Sequence, residues 1–149
     1  MRGYLPGSQY DTKTREVLDD FYRRALQWCS TDPALDKLVS LDISKCYPSI
    51  LIDNESPIPL YTIHDIIKPF DGVFRKGEYY IHEYVTDKRL GKGIKIGFYS
   101  EPLVHTLITT FKMPTSNVKW CIQARKTLAP DTFKNYMLAI FSMFPESQA

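Results

Sequence analysis

The residues best suited to chemistry lie in one run, Ser40-Leu41-Asp42-Ile43-Ser44-Lys45-Cys46-Tyr47-Pro48-Ser49-Ile50. Leu38 to Ile43 reads as a short strand that carries an acidic residue at its end. Ser44 to Tyr47 reads as a turn, and Pro48 suits the first turn of a new helix. A carboxylate at the end of a buried strand can project into a cleft and hold Mg²⁺. That hard cation takes oxygen ligands and keeps substrate phosphates in its shell. The turn that follows exposes successive backbone N–H groups, and such a nest binds phosphate. Tyr47 places a flat ring five residues after Asp42. One short segment can therefore meet the metal-bound phosphates and the sugar of a nucleotide. The spacing also fits plainer roles, with Asp42 as a helix cap and Tyr47 as a core tyrosine.

Other clusters carry less. Lys88, Arg89, Lys92 and Lys95 place four positive charges in eight residues. They suit phosphate-backbone contact, or equally a solvated loop. Arg125 and Lys126 can reach a triphosphate or a template strand, or form a surface pair. Gly91-Lys92-Gly93 lacks the Gly-Lys-Ser/Thr ending of a phosphate-binding Walker loop. His64, His82 and His105 are too far apart for paired zinc ligands. Ser49 and Ser100 lack the context of a nucleophile elbow.

The elements that must position the run are readable from periodicity. Val17, Leu18, Phe21, Tyr22, Ala25 and Leu26 predict a helix that Asp11 or Thr12 caps and Thr31-Asp32-Pro33 stops. Residues 72–85 alternate, with Tyr80, His82 and Tyr84 on one face and Tyr79, Ile81, Glu83 and Val85 on the other. They predict a hairpin that turns at Arg75-Lys76-Gly77. Ser100 reads as the N-cap of a helix whose stripe is Leu103, Val104, Leu107, Ile108 and Phe111. Val118 to Ala124 is a second strand. The final helix carries Phe133, Tyr136, Met137, Ile140, Phe141 and Phe144 as a core-facing stripe, with Asp131 opening it and Pro145 closing it. Strands and helices mix without strict alternation, which favours an α+β fold. Residues 1–10 read as an arm or loop, and residues 11–149 as one domain.

Composition is compatible with this. A chain of 149 residues, 44% apolar and 24% charged, is an ordinary globular composition rather than a disordered one. Its net charge of +2 neither demands nor forbids a nucleic-acid partner. Cys29, Cys46 and Cys121 suggest neither a disulfide framework nor a metal site, and fit reduced thiols in an intracellular compartment, whether cytoplasm, nucleus or mitochondrion. No apolar run approaches a membrane span, and the first residues hold no signal-peptide core.

Taken as a string, the run resembles motif A of the family B DNA polymerases. That motif reads Asp, apolar, small polar, two variable positions, Tyr-Pro-Ser and two aliphatics, and Asp42, Tyr47, Pro48, Ser49, Ile50 and Leu51 match it. The layout from about residue 30 to 149 also resembles the stretch between motif A and the fingers. In style it resembles the polymerases of protein-primed replicons, linear plasmids, large DNA viruses and Polinton-type elements. The resemblance implies part of a polymerase palm, of short antiparallel strands with packed helices, leading into the fingers. It implies that Asp42 and the Ile43 carbonyl are ligands of Mg²⁺ in a two-metal site. Ser44 and the Lys45 and Cys46 N–H groups would hold the incoming triphosphate, and Tyr47 would exclude a ribose 2′-OH. The partners it implies are a DNA primer-template and deoxynucleotides. Lys45-Cys46 departs from the Ser-Leu common in the family, a change that a backbone contact survives.

Neither the Asn-Ser-x-Tyr-Gly string of motif B nor the Asp-Thr-Asp string of motif C occurs, so the resemblance implies a partner role for polymerase segments outside this sequence. The rival expectations are a non-catalytic nucleic-acid-binding remnant and an unrelated α+β interaction domain. The purified chain alone is expected not to extend a primer, because two-metal transfer needs a second carboxylate that motif C would supply. Template-directed incorporation by the 149-residue chain would overturn that expectation.

Overall fold

Apolar residues that recur every three or four positions build helices here, and those that alternate build strands. The computed structural model describes residues 9–21, 37 and 39–144. In chain order they form α1 (Thr12–Phe21), α2 (Cys46–Asp53), β1 (Ile58–Leu60), β2 (Lys68–Pro69), β3 (Gly77–Ile81), β4 (Gly97–Ser100), α3 (Glu101–Thr109), β5 (Val118–Gln123), β6 (Lys126–Leu128) and α4 (Lys134–Met143). The fold is α+β, with two small antiparallel sheets, β1-β6 and β2-β5-β3-β4. The chain divides into two units. Unit 1 comprises residues 1–28 and 59–127, and unit 2 comprises residues 29–58 and 128–149.

Unit 1 is organised on β3. Its residues 77, 79 and 81 are buried while 78 and 80 are half-buried, the period-two signature of a strand between two unequal faces. It pairs antiparallel with β4, Tyr79 opposite Tyr99, and with β5, Tyr79 opposite Cys121. One face carries a core of Tyr79, Ile81, Tyr99, Cys121 and the α3 residues Val104 and Leu107. Helix α3 begins after Ser100, with Pro102 in its first turn, and each of its two fully buried aliphatics contributes about 1.5–3 kcal/mol by leaving water. The opposite face carries Tyr10, Leu18, Tyr61, Phe98 and Ile122. Tyr10, at the end of the sequence's N-terminal arm, is thus a core residue, its ring 5.0 Å from that of Tyr61.

Two polar side chains hold the ends of β3. Asn117 is buried; its Oδ1 accepts from the N–H groups of His82 and Glu83 at 3.2 and 2.7 Å, and its Nδ2 donates to the Glu83 carbonyl at 3.1 Å. This anchors the register shift between Tyr80 and Ile81. At the other end, Gln123 Nε2 donates to the Val73 carbonyl at 2.8 Å.

In unit 2, α2 and α4 are in contact. Asn54 closes α2 and donates from Nδ2 to the carbonyls of Ser56 and Pro130, at 2.8 and 2.9 Å. That side chain ties the end of α2 to the segment leading into α4.

Several expectations hold. Helix α1, the Ser100-initiated α3 with its stripe, and β5 lie where the periodicity places them. Four readings are corrected. Residues 39–43 form no strand; Val39 and Leu41 are exposed, Leu41 at 91%. The hairpin at Arg75-Lys76-Gly77 is absent, because residues 71–75 form a hydrogen-bonded loop in which Val73 N–H donates to Asp71 Oδ1. The partners of β3 lie far along the chain instead. Helix α4 opens at Lys134, with Phe133 in the capping position, and not at Asp131. Its stripe is not a buried core: no α4 residue is fully buried, and Tyr136 and Phe144 are exposed. Tyr22, Ala25, Leu26, the Thr31-Asp32-Pro33 stop and Pro145 lie outside the described residues.

A Cβ at Gly77 would collide with the backbone of Ile122 and Gln123, so β3 lies against β5 only with glycine there. Gly77→Ala is expected to cost about 1–3 kcal/mol, read as a lowered denaturation midpoint. An unchanged midpoint would show that the two strands separate freely at this point.

Candidate nucleotide-binding segment

Residues Ser44 and Lys45 form a tight turn, and α2 starts at Cys46. Lys45 has φ 51° and ψ 45°, the left-handed region that an L-residue with a long side chain rarely enters. The Lys45 carbonyl then accepts from the Ser49 N–H at 2.8 Å, the first intrahelical bond of α2. Ser49 Oγ also donates to the Cys46 carbonyl at 2.9 Å, which holds the first turn shut. By helix geometry the first-turn amides of Cys46 and Tyr47 have no intrahelical acceptor, and Pro48 has no N–H to offer. A left-handed residue followed by a helix start is the backbone form of an anion nest.

The side chains that lead into the turn, and that of Tyr47, face outward. Asp42 and Ile43 are exposed, and Tyr47 is 80% exposed. The Lys45 Nζ lies 5.2 Å from the centre of the Phe141 ring, a cation–π contact within unit 2. Cys46 is a free thiol, half-buried. The structure therefore brings Ser44, Lys45, Cys46 and Tyr47 together at one turn, with Asp42 and Ile43 leading into it.

For the Mg²⁺ that the resemblance implies, Asp42 is a single exposed carboxylate. No group of three or more His, Cys, Asp or Glu side chains that could hold a metal ion occurs among the described residues. One carboxylate does not make a two-metal centre, so these residues do not by themselves fit the ions.

The basic candidates are dispersed along unit 1. Lys88 and Arg89 begin a short 3₁₀ turn that Asp87 caps, its side chain accepting from the Arg89 N–H at 2.8 Å. The Arg89 guanidinium is engaged by three partners. It pairs with Asp87, Nε to Oδ1 at 3.0 Å, donates to the Thr110 carbonyl at 3.2 Å and stacks 4.5 Å from the centre of the Phe111 ring. Those hydrogen bonds hold the Asp87 carboxyl at about 2. Lys92 and Lys95 are exposed. Arg125 lies 3.9 Å from Asp65, whose side chain is fully buried and also accepts from the Thr62 N–H at 2.8 Å. Lys126 starts β6 and is exposed.

The sequence reading missed Glu78. It sits in mid-strand on the same face of β3 as Tyr80, opposite Ile122 and Ser100. Burial pushes its carboxyl up to about 7. Burial first, and then the negative charge of Glu78, push the Tyr61 phenol far above its ordinary range. The only local signal is a Glu inside an aromatic strand; what covers it comes from distant residues of the chain.

No family model matches this chain, and neither a curated protein nor a solved structure is significantly similar to it.

The Glu78 shift has a signed consequence. Its folded value of about 7 lies above the ordinary 4.5, so the folded chain keeps a proton that the unfolded chain releases between those values. Stability is therefore greatest below about pH 4.5 as far as this group is concerned, and falls as pH rises through 7, by about 3 kcal/mol in all. The melting temperature is expected to drop by several degrees from pH 5 to pH 8, and Glu78→Gln to flatten that slope. An equal slope in the Gln variant would overturn the assignment.

Proposed function

We propose that this chain is part of a family B DNA polymerase palm and that Asp42 to Tyr47 is its nucleotide-facing segment. The observation that carries the reading is the motif A-like run itself, set on a left-handed turn at Lys45 with the Tyr47 ring exposed beside the amides that open α2. The Lys45 and Cys46 N–H groups donate to the triphosphate oxygens, and the Tyr47 ring occupies the volume a ribose 2′-OH would need. Asp42 would supply one carboxylate of a metal centre, and the other ligands would have to come from polymerase segments outside this sequence. Ser44 shapes the turn and Ile43 offers its carbonyl. The primer-template and the deoxynucleotides are the substrates.

A second reading is a non-catalytic nucleic-acid-binding α+β module. One observation favours it: residues 39–43 form no strand, so Asp42 does not stand at a strand end aimed into a cleft.

Two variants separate these readings in a polymerase that contains this segment. Tyr47→Ala is expected to relax discrimination against ribonucleotides by about tenfold or more, with deoxynucleotide incorporation falling less. Unchanged sugar discrimination rules the gate out. Asp42→Asn is expected to cut incorporation by a factor on the order of 10² or more while the melting curve stays in place. Asp42 does not cap α2, whose N-cap is Lys45, so near-normal incorporation by the Asn variant would leave Asp42 without a role at the metals.

A further inference from the structure

The half-covered face of the β2-β5-β3-β4 sheet carries an aromatic row. Tyr80 of β3 stands opposite Phe98 of β4 and opposite Trp120 of β5, so three rings lie side by side across three adjacent strands. Phe21 of α1 meets Tyr80 edge-on at 5.6 Å, and the Tyr80 and Phe98 ring centres are 5.3 Å apart. Between α1 and this row runs a groove of about 540 Å³, lined also by Asp11 and Lys13. Its size falls in the range of small-molecule sites. Trp120, 45% exposed, forms its open side.

The groove also holds a polar demand. Asp11 Oδ1 is buried and has no hydrogen-bond partner. A buried acceptor without a donor costs free energy, which a ligand returns if the Asp11 carboxylate turns toward the groove and accepts from it. An aliphatic ligand would cover the rings and leave that oxygen unanswered. A flat heteroaromatic ring with N–H donors answers both, stacking on the rings and donating to Asp11. Lys13, exposed and also lining the groove, suits a phosphate attached to such a ring.

We propose that this groove binds an amino-bearing nucleobase, with Trp120 as the stacking surface, Asp11 as the acceptor for the base's N–H and Lys13 as the phosphate contact. All of these residues belong to unit 1, so the site is separate from the Asp42–Tyr47 segment and does not depend on the polymerase reading. The base comes either from a free nucleotide or from a single strand of nucleic acid.

Calorimetric titration of the 149-residue chain in EDTA, with adenosine, AMP, oligo(dA) and oligo(dT) as separate probes, tests it. Adenosine has no phosphate and EDTA leaves no metal, so the signal is blind to triphosphate held at Lys45 and Cys46. Saturable binding of adenosine is expected, tighter for AMP, and weaker for oligo(dT) than for oligo(dA). Trp120→Ala is expected to weaken each by about tenfold with little change in melting, since the ring is half in solvent. Asp11→Ala weakens adenosine, and Asp11→Asn, which keeps an acceptor oxygen, restores most of it. Lys13→Ala removes the advantage of AMP over adenosine. A strong preference for oligo(dA) over AMP identifies the source as a single strand, and parity identifies it as a free nucleotide. Absence of saturable binding by both adenosine and oligo(dA), or affinity untouched by Trp120→Ala, overturns the proposal.

Discussion

The ring of Tyr79 is fully buried, and a buried phenol must find partners for its hydroxyl. It finds three contacts in one place. The hydroxyl donates to the Arg75 carbonyl at 2.6 Å, while the Arg75 N–H and Gln123 Nε2 point to it at 2.7 and 3.2 Å. Gln123 in turn accepts from the Arg75 guanidinium at 3.0 Å, and Arg75 pairs with Asp71 at 3.3 Å. The rings of Phe70 and Phe74 close around Tyr79 with centres 5.5 and 5.0 Å away. The loop before β3, the middle of the sheet and the end of β5 are thus fixed by one residue's need to satisfy a polar group inside an apolar core. The two buried members, the Tyr79 hydroxyl and Gln123, take their partners from each other and from Arg75, and such shared satisfaction inside a core rigidifies a fold.

The same economy governs the opposite end of the strand. Asn117 answers the N–H groups that the register shift would strand, so the sheet can bend there without losing backbone hydrogen bonds. With both ends held, the two sheet faces differ in kind. One is a closed aliphatic and aromatic core under α3. The other keeps Glu78 in mid-strand and the Trp120-Tyr80-Phe98 row beneath α1, a surface where polar groups are buried without full compensation.

Local periodicity made much of this legible. Alternation in residues 77–81 separates Tyr79 and Ile81 from Tyr80, and the Ser100-Glu101-Pro102 start places α3 and its buried face. What periodicity lacks is the partner. The alternation around Gly77 looks like a hairpin because nothing local says that the neighbours of β3 are residues 97–100 and 118–123. The Leu38–Ile43 run has the apolar content of a strand, yet the described residues 39–43 have no neighbour to pair with, and content alone does not make a strand. At the candidate site the order of residues was readable, including the turn and the helix after it. The left-handed Lys45 was not, since lysine carries no preference for that conformation. Glu78 and the Asp11 oxygen escaped for the same reason as the sheet partners: their burial is made by distant residues.

The turn at Lys45 has an implication for how such a segment changes over time. A cradle made of main-chain amides selects torsion angles rather than side-chain identities. Glycine or asparagine at position 45 would relieve the positive φ and keep the amides aimed, whereas a β-branched residue would resist the bend. Substitutions at 44–46 that keep these torsion angles are then expected to leave the backbone turn in place. The direction of the amides that open α2 is then a property of the torsion angles at position 45, and the lysine side chain is left to meet the Phe141 ring.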